Sequence, residues 1–409
     1  MTAAIWSPDW FASAAIICFG TLAAAAGVYL LILAIAAFAY RESQVRAEPT
    51  SRLVVLVPAH NEQDLIGRCI ASLKSQDYRL DRFRTFVIAD NCTDETEALA
   101  RAAGADVLVR DVPEARGKGQ ALRWAMDQLV TSAVPPDAFV VVDADSVADR
   151  GLLRGLASHL ESGAEAVQAE YLVLADEASP RVQLRAVAFL LFHRVRFAGR
   201  AALHLPCSLV GNGMLLSRTM IERHPWNAFS GAEDLEYSVT LRVGGVRPVF
   251  AGSALVRGPV PASRRSAQVQ RERWEGGRLY VARTALPRLL RAIVIDRRVS
   301  VVDAAVDLVV PPLGLLAAGV LAGVVLVLGL WGAGFVSLWI LTPWLIALAA
   351  IAGFVTVGLR SAKAPAWMYR RLVSAPAFLV QKLLGTVGVV RGRAADRWIR
   401  TERPGEIVP

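Results

Sequence analysis

Two long tracts of this chain carry no charged residue, one between Asp9 and Arg41 and one between Asp307 and Arg360. The first, Trp10 to Tyr40, is long enough for one tilted membrane helix, which needs about 20 residues. The second, Leu308 to Leu359, is 52 residues long. As a straight helix it would reach about 78 Å, against a bilayer core of about 30 Å. It must therefore turn, and Gly329-Leu330-Trp331-Gly332-Ala333-Gly334 is the natural place. Three spans follow. A cleavable signal peptide fits the first tract poorly, because no basic residue precedes it and it is too long.

Between the tracts the pattern is that of a folded α/β domain. Leu53 to Val57, Thr85 to Ala89, Asp106 to Arg110 and Ala138 to Val142 read as buried strands. Glu62 to Gln76 has apolar residues at helical spacing (Leu65, Ile66, Cys69, Ile70, Leu73). Thr93 or Asp94 can cap a helix running through Arg101, and Gln120 to Val130 reads as another. This alternation predicts a mostly parallel sheet covered on both faces. Beyond it, Ala166 to Leu174 and Cys207 to Ser217 look like strands, with a long helix from Pro180 to about Leu203 between them.

Composition agrees with a membrane protein. The chain has 409 residues, 54% of them hydrophobic, and a mean hydropathy of +0.41. Soluble chains have roughly 45–50% apolar residues, and disorder, collagen and a small disulfide scaffold are excluded. The net charge of +9 suggests a nucleic-acid binder until it is divided along the chain. Residues 41–256 carry −3, whereas residues 257–307 carry +6 and residues 360–409 carry +7. Basic residues thus flank the apolar tracts, as expected of cytoplasmic faces, and nucleic acid is not an expected partner. The four cysteines are scattered, form no CxxC pair and show no zinc spacing. The segment Arg257 to Arg298 has eleven Arg with apolar residues interspersed, a pattern that suits the surface of a leaflet or a solvated charge run. A further apolar stretch, Leu372 to Val390, contains Pro376 and Lys382. It reads as an interfacial or re-entrant helix, since a span there would put the basic tail outside.

In such a sheet, ligands bind at the carboxyl ends of the strands. The first strand opens into Pro58-Ala59-His60-Asn61-Glu62, the second into Asp90-Asn91-Cys92-Thr93-Asp94 and the fourth into Asp143-Ala144-Asp145-Ser146. Acidic and amide groups there suit a nucleobase, a ribose and a divalent cation that wants hard oxygen ligands. Arg116-Gly117-Lys118-Gly119 at a helix start adds an anion cradle. Together these describe a nucleotide-sugar pocket. Each piece has a plainer reading: Asp94 as a helix cap, Lys118 as solvated surface, Asp145 as a satisfied loop carboxylate.

The ordered motifs P-A-H-N-E, A-D-N-C-T-D-E-T, R-G-K-G-Q-A-L and D-A-D-S, followed by Gly211-Asn212-Gly213, Glu233-Asp234 and Gln270-Arg271-Glu272-Arg273-Trp274, resemble family 2 glycosyltransferases of the GT-A fold. The last motif is the Q-x-x-R-W signature of their membrane branch. That branch holds cellulose, hyaluronan, chitin-oligosaccharide and poly-N-acetylglucosamine synthases, with ceramide glucosyltransferase in related form. The resemblance implies that Pro58, Glu62 and Asp90 contact the uridine end of a UDP-sugar, with Lys118 near the phosphates and Asp143 on the nucleotide. It implies that Asp145 coordinates Mg²⁺ or Mn²⁺. Asp234 would be the catalytic base, with Glu233 as its companion or as loop support. Gln270, Arg273 and Trp274 would close over the diphosphate and the acceptor sugar, although a plain bilayer-interface anchor also suits Trp274.

The implied domains are an N-terminal span (1–40), a GT-A domain (41–256), interfacial helices with Q-x-x-R-W (257–306), two spans (307–359) and a basic tail (360–409). The implied activity is an inverting transfer from a UDP-sugar to a growing β-linked cell-surface polysaccharide or oligosaccharide. The alternative is transfer of one sugar to a membrane lipid, ceramide-like or polyprenyl. The implied setting is a bacterial inner membrane with the catalytic domain cytoplasmic. Two departures from the pattern matter. Three spans are too few to enclose the channel of a processive synthase, so a homo-oligomer, an export partner, a short glycan product or a lipid acceptor is expected. No histidine follows Trp274, so a metal ligand that some GT-A enzymes take from a late histidine is missing or replaced.

Overall fold

The computed structural model describes residues 8–42, 48–174, 179–259, 264–295, 297, 301–376 and 378–379. In chain order the main elements begin with α1 (Pro8–Ala36), β1 (Leu53–Ala59), α2 (Ile66–Lys74), β2 (Phe83–Asp90), α3 (Thr96–Ala102) and β3 (Asp106–Arg110). Then come α4 (Lys118–Val130), β4 (Ala138–Val141), β5 (Val147–Ala148), α5 (Leu152–Glu161) and β6 (Ala166–Val173). They are followed by α6 (Pro180–Phe189), a π-helical turn (Leu190–Arg196), α7 (Phe197–Ala202), β7 (Met214–Ser217), α8 (Arg218–Arg223), α9 (Glu233–Val243) and β8 (Val249–Gly258). Last are α10 (Arg264–Val294), α11 (Val302–Val309), α12 (Leu313–Gly332), α13 (Thr342–Ser361) and α14 (Ala366–Arg371).

These elements fall into two compact units. The first comprises Arg41–Phe189 and His204–Leu308 and contains an eight-stranded sheet of order β3-β2-β1-β4-β7-β6-β8-β5. Strands β1 to β4 pair in parallel, as the sequence pattern predicts. The sheet as a whole is mixed: β6 also pairs in parallel with β8, so parallel pairings predominate as expected, but β7 runs antiparallel to both β4 and β6, and β5 antiparallel to β8. The reversal has a structural consequence. Because β7 is antiparallel, the loop that leads into it lies beside the carboxyl end of β4, where the Gly213 N–H donates to the Val141 carbonyl at 2.9 Å.

Alternation along β1 fixes the two faces of the sheet. Leu53, Val55, Val57 and Ala59 pack with Ile66, Cys69, Ile70 and Leu73 of α2. Val54 and Leu56 pack on the other side with Leu122 and Met126 of α4 and Tyr237 and Leu241 of α9. Burial on both faces is why these strands read as continuous apolar runs.

Several elements differ from their sequence reading. The strand expected over Cys207 to Ser217 begins only at Met214, because Gly211 (φ +76°) and Gly213 (φ +66°) take the left-handed backbone. The long helix expected from Pro180 is interrupted by the π-helical turn, and residues 190–203 group with the apolar helices. Strand β8 and helix α5 were not foreseen, since β8 mixes Gly, Ser and Arg into its pattern. Among the described residues, the region 257–306 holds the end of β8, the long helix α10 and the first part of α11. Most of the expected helix at 372–390 lies outside the described residues.

The second unit comprises Met1–Tyr40, Leu190–Leu203 and Val309–Arg391. It holds three helical stretches long and apolar enough to cross a membrane: Ala12–Ala39, Leu313–Gly332 and Leu338–Ser361. The count of three agrees with the sequence reading, and the turn falls just after Gly332. Glycine lets these helices approach closely. A Cβ at Gly323 would lie 2.0 Å from the Trp344 ring, and one at Gly20 would lie 2.7 Å from the same indole. Arg200, fully buried, donates to the Tyr29 hydroxyl at 2.6 Å.

Helix α4 gives a direct test of packing. Alanine at position 119 would gain helix propensity, but its Cβ would lie 2.2 Å from the Ala228 carbonyl oxygen, a backbone atom that cannot step aside. Gly119→Ala is expected to destabilise the sheet unit by about 1–3 kcal/mol. The check is the melting temperature of the full chain, and an unchanged or raised value would contradict the packing.

Candidate active site

Three loops at the carboxyl ends of β1, β2 and β4 build the floor of the site. The first two are stitched together, for Asn61 (φ +54°) and Asn91 (φ +52°) each turn the chain sharply as it leaves its strand. The Asn61 Oδ1 accepts from the Thr93 N–H at 2.8 Å, and the Glu62 N–H donates to Thr96 Oγ1 at 2.8 Å. Asp94 proves to be a cap: its carboxylate accepts from the N–H groups of Thr96 at 3.0 Å and Gln63 at 3.3 Å. Pro58 therefore stands near the end of β1, and Glu62, only 9% exposed, in the fixed loop that follows. Asp90, at the end of β2, is buried against Arg110 at the end of β3, with 2.5 Å between Oδ1 and Nη1. Asn91 Nδ2 donates to the same oxygen at 2.8 Å.

The centre of the site is an acidic cluster around one ammonium group. Lys118, first residue of α4, donates from Nζ to Asp143 Oδ1 and to the Gly211 carbonyl, both at 2.5 Å. Gly117 before it has φ +123°, a turn that side chains rarely tolerate. Asp234 reaches the same place from the first turn of α9, since a Cβ on Gly211 would lie 3.1 Å from Asp234 Oδ2 and 3.2 Å from Lys118 Nζ. Burial, and then the neighbouring Glu233 carboxylate, push the Asp234 pKa up to about 7, with Lys118 pulling the other way. For Lys118, burial alone would lower the pKa, but the carboxylates of Asp143, Glu233 and Asp234 outweigh it and hold the value above the ordinary one.

A buried polar lattice holds the D-A-D segment in place. Asn212 Oδ1 accepts from the Asp143 N–H at 3.2 Å, and its Nδ2 donates to Ser146 Oγ at 2.9 Å. Ser146 in turn donates to Asp145 Oδ1 at 3.1 Å. Gln168 donates to the Asn212 carbonyl at 2.8 Å and accepts from the Val210 N–H at 2.9 Å. Ser146, Gln168 and Asn212 are all fully buried. Arg68, exposed on α2, donates to the Asp145 carbonyl at 3.2 Å.

The third wall is α10, which carries Gln270, Arg273 and Trp274 within one turn. It packs against the lead into α9 through Gly277, where a Cβ would lie 2.9 Å from the Ala232 nitrogen. Arg273 runs beside Gly231, three residues before Asp234. Trp274, 40% exposed, stands 6.1 Å from the Phe189 ring, which meets Tyr171 edge-on at 5.4 Å. The Tyr171 hydroxyl and Ser146 Oγ both border Gly258. An aromatic row thus leads from Trp274 back toward the D-A-D segment.

The structure brings Lys118, Asp143 and Asp234 together, sets Pro58, Glu62 and Asp90 at the ends of β1 and β2 and Arg273 beside Gly231, and gives Gln270 a place on α10 only; the sequence reading missed several of their supports. Arg110 was legible as the partner of Asp90 once β2 and β3 were paired in parallel, since the two residues stand opposite each other. Gln168, a lone amide in an apolar strand, was a second available signal. Phe189 and Tyr171 carried none. Among the described residues no three His, Cys, Asp or Glu side chains converge as a ready-made metal cage. The donor set nevertheless fits Mg²⁺ or Mn²⁺, because such ions take one or two carboxylates and complete their shell with substrate phosphate and water.

Several known proteins resemble this chain. The family model described as glycosyltransferase-like family 2 matches residues 49–277. A probable glycosyltransferase of Bacillus subtilis is 23% identical over 241 residues, 56% of each chain. The beta-monoglucosyldiacylglycerol synthase of Synechocystis is 25% identical over 246 residues, covering 56% of this chain and 48% of that one. The chain thus spans about half the length of these relatives. Among solved structures, the mannosyltransferase of Pyrobaculum calidifontis in complex with GDP-Man and Mn²⁺ shares the fold. Its TM-score is 0.50 at 19% identity, covering 85% of this chain and 98% of that one.

The Asp90–Arg110 pair yields a prediction independent of activity. Arg110→Met would leave Asp90 buried without its cation, at an expected cost of about 3–5 kcal/mol. Adding Asp90→Asn should recover most of the lost melting temperature, and a double variant no better than the single one would refute the pairing.

Proposed function

This chain belongs to the family 2 glycosyltransferases, and on that premise we propose that it transfers one sugar from a UDP-sugar to a lipid acceptor in the membrane, with inversion at the anomeric carbon. The observation that carries the chemistry is the Asp234 carboxylate, tuned to titrate near neutrality beside Lys118 and Asp143. A general base works best when its pKa lies near the operating pH. Asp234 takes the proton of the acceptor hydroxyl as that oxygen attacks the anomeric carbon. The carbon–oxygen bond to the diphosphate breaks on the opposite face, and its electron pair leaves with UDP.

Pro58, Glu62 and Asp90 hold the uridine end, Asp143 and Lys118 the ribose-diphosphate, and Arg273 the departing charge. Asp145, with Asp143 beside it, would hold Mg²⁺ or Mn²⁺, which when bound neutralises charge on the diphosphate oxygens. Gln270 closes the site, and Trp274 offers an apolar face to the acceptor. Glu233 raises the basicity of Asp234 by like-charge repulsion.

Two observations favour a lipid acceptor over a growing polymer. The three apolar helices pack closely, with Gly20 and Gly323 both against the Trp344 ring, and three spans are too few to enclose a polysaccharide channel. One relative is by name a beta-monoglucosyldiacylglycerol synthase. Polymer synthesis is the second reading and would need further copies or an export partner. The three helices are taken to span a bacterial inner membrane, with the sheet unit on the cytoplasmic side where the arginine-rich flanks belong.

The test uses the full chain in lipid nanodiscs with labelled UDP-sugars and Mg²⁺ or Mn²⁺. A single labelled lipid is expected, a ladder would establish the polymer reading, and no transfer from any donor would refute both. Asp234→Asn should lower turnover by at least about a hundredfold while the donor still binds. The pH dependence follows from the sign of the shift. The base is ionised above its pKa, so kcat/KM should rise with pH and level off above about 7. Glu233→Gln removes the repulsion and should move that rising limb to lower pH, whereas an unmoved limb would take Glu233 out of the account.

A further inference from the structure

Helix α9 carries the acidic pair in its first turn and Arg242 in its last. Arg242 is 6% exposed and donates from Nη2 to Asp303 of α11, while its Nη1 lies 3.6 Å from Asp307 of the same helix. Asp307 also accepts from Ser208 Oγ at 2.6 Å, and the next residue, Leu209, donates its N–H to Ser238 Oγ of α9 at 3.1 Å. From α10, Arg278 donates to the carbonyls of Asp307 and Leu308 at 2.8 and 2.9 Å, the end of a helix where a cation is favourable. Three helices and one loop thus meet in a network of two arginines and two aspartates.

Helix α11 buries Ala304, Ala305 and Leu308 against Val239 of α9 and Val281 and Leu289 of α10. Asp307 lies on that same buried face, 8% exposed. Buried ion pairs add little net stability over apolar packing. What a directional network supplies is a fixed register. Here it fixes two things at once: the axis of α9, and the strand lead Ser208–Gly213 whose Gly211 carbonyl takes Lys118.

We propose that Arg242, Asp303, Asp307 and Ser208 are positioning residues that hold Asp234 and the Gly211 carbonyl in reacting geometry, so that α11 sets turnover without touching substrate. The proposal rests on the reading of Asp234 as the base. Loss of the network leaves the uridine contacts on β1 and β2 in place and loosens the α9 side together with the Ser208–Gly213 lead.

The test uses the full chain in nanodiscs with Arg242→Lys, Asp307→Asn, Ser208→Ala and Ser208→Thr. Amide hydrogen exchange should quicken at 207–213 and 233–238, remote from the α11 change, while residues 53–59 stay protected. With the donor identified above, kcat should fall about ten- to a hundredfold with donor KM within about twofold. Ser208→Thr, which keeps the hydroxyl, should retain the activity that Ser208→Ala loses. Faster exchange confined to 302–308, unchanged kcat, or kcat and donor KM failing together with the melting temperature would overturn the proposal. A wild-type chain that turns over no nucleotide sugar would instead sink the reading of Asp234, with the exchange pattern still deciding the coupling.

Discussion

The structure of the site depends on one ammonium group placed among carboxylates. Asp143, Glu233 and Asp234 come from two separate stretches of chain, and bringing them together costs repulsion that grows as water is excluded. Lys118 offsets that cost by bonding directly to Asp143 and to the Gly211 backbone. It does not remove it: the raised pKa of Asp234 comes first from burial and then from the Glu233 charge that Lys118 only partly offsets. Full neutralisation would give a calmer cluster and a weaker base.

Placing Lys118 there constrains the backbone around it. The chain must turn at Gly117 with a left-handed φ, and α4 must pass against Ala228 with no Cβ at Gly119. The facing loop must bring Gly211 within hydrogen-bond reach, which it does in another left-handed turn. Antiparallel β7 supplies the direction of approach, and Gln168 and Asn212 lock the loop with bonds that no solvent reaches. A group that must be placed to within fractions of an ångström is best set on strands and supported by a buried polar lattice, as it is here.

What was legible in the sequence follows the range of the interactions. The first four strands were visible because each is an apolar run ending in a polar loop, and burial on both faces writes that pattern locally. The apolar helices were visible because twenty uncharged residues have few other homes. The site residues at strand ends followed from topology alone. The reversed direction of β7, which lies inside an expected strand, was not legible because its partners lie far off in sequence, and neither was the ten-residue β8, which mixes Gly, Ser and Arg with apolar residues. The Arg242 network was hidden for the same reason: Arg242 and Asp303 are sixty-one positions apart, and each alone reads as an ordinary surface charge.

The apolar unit bears on which acceptor suits this chemistry. A processive synthase must hold its product in a passage while the next sugar arrives, and a passage requires helices that stand apart. Here small residues do the reverse. Gly20 and Gly323 let α1 and α12 close on the indole of Trp344, and Gly27 brings α1 within 3.1 Å of the Ala350 Cβ, measured from where a side chain would begin. Such packing is favourable in lipid because van der Waals contact drives helix association there. Opening a bore would mean losing those contacts with nothing to replace them. An acceptor that diffuses in the plane of the bilayer and leaves the same way asks for no bore. It asks only for an apolar face and a hydroxyl presented to a base, which the row Trp274–Phe189–Tyr171 and Asp234 offer between them.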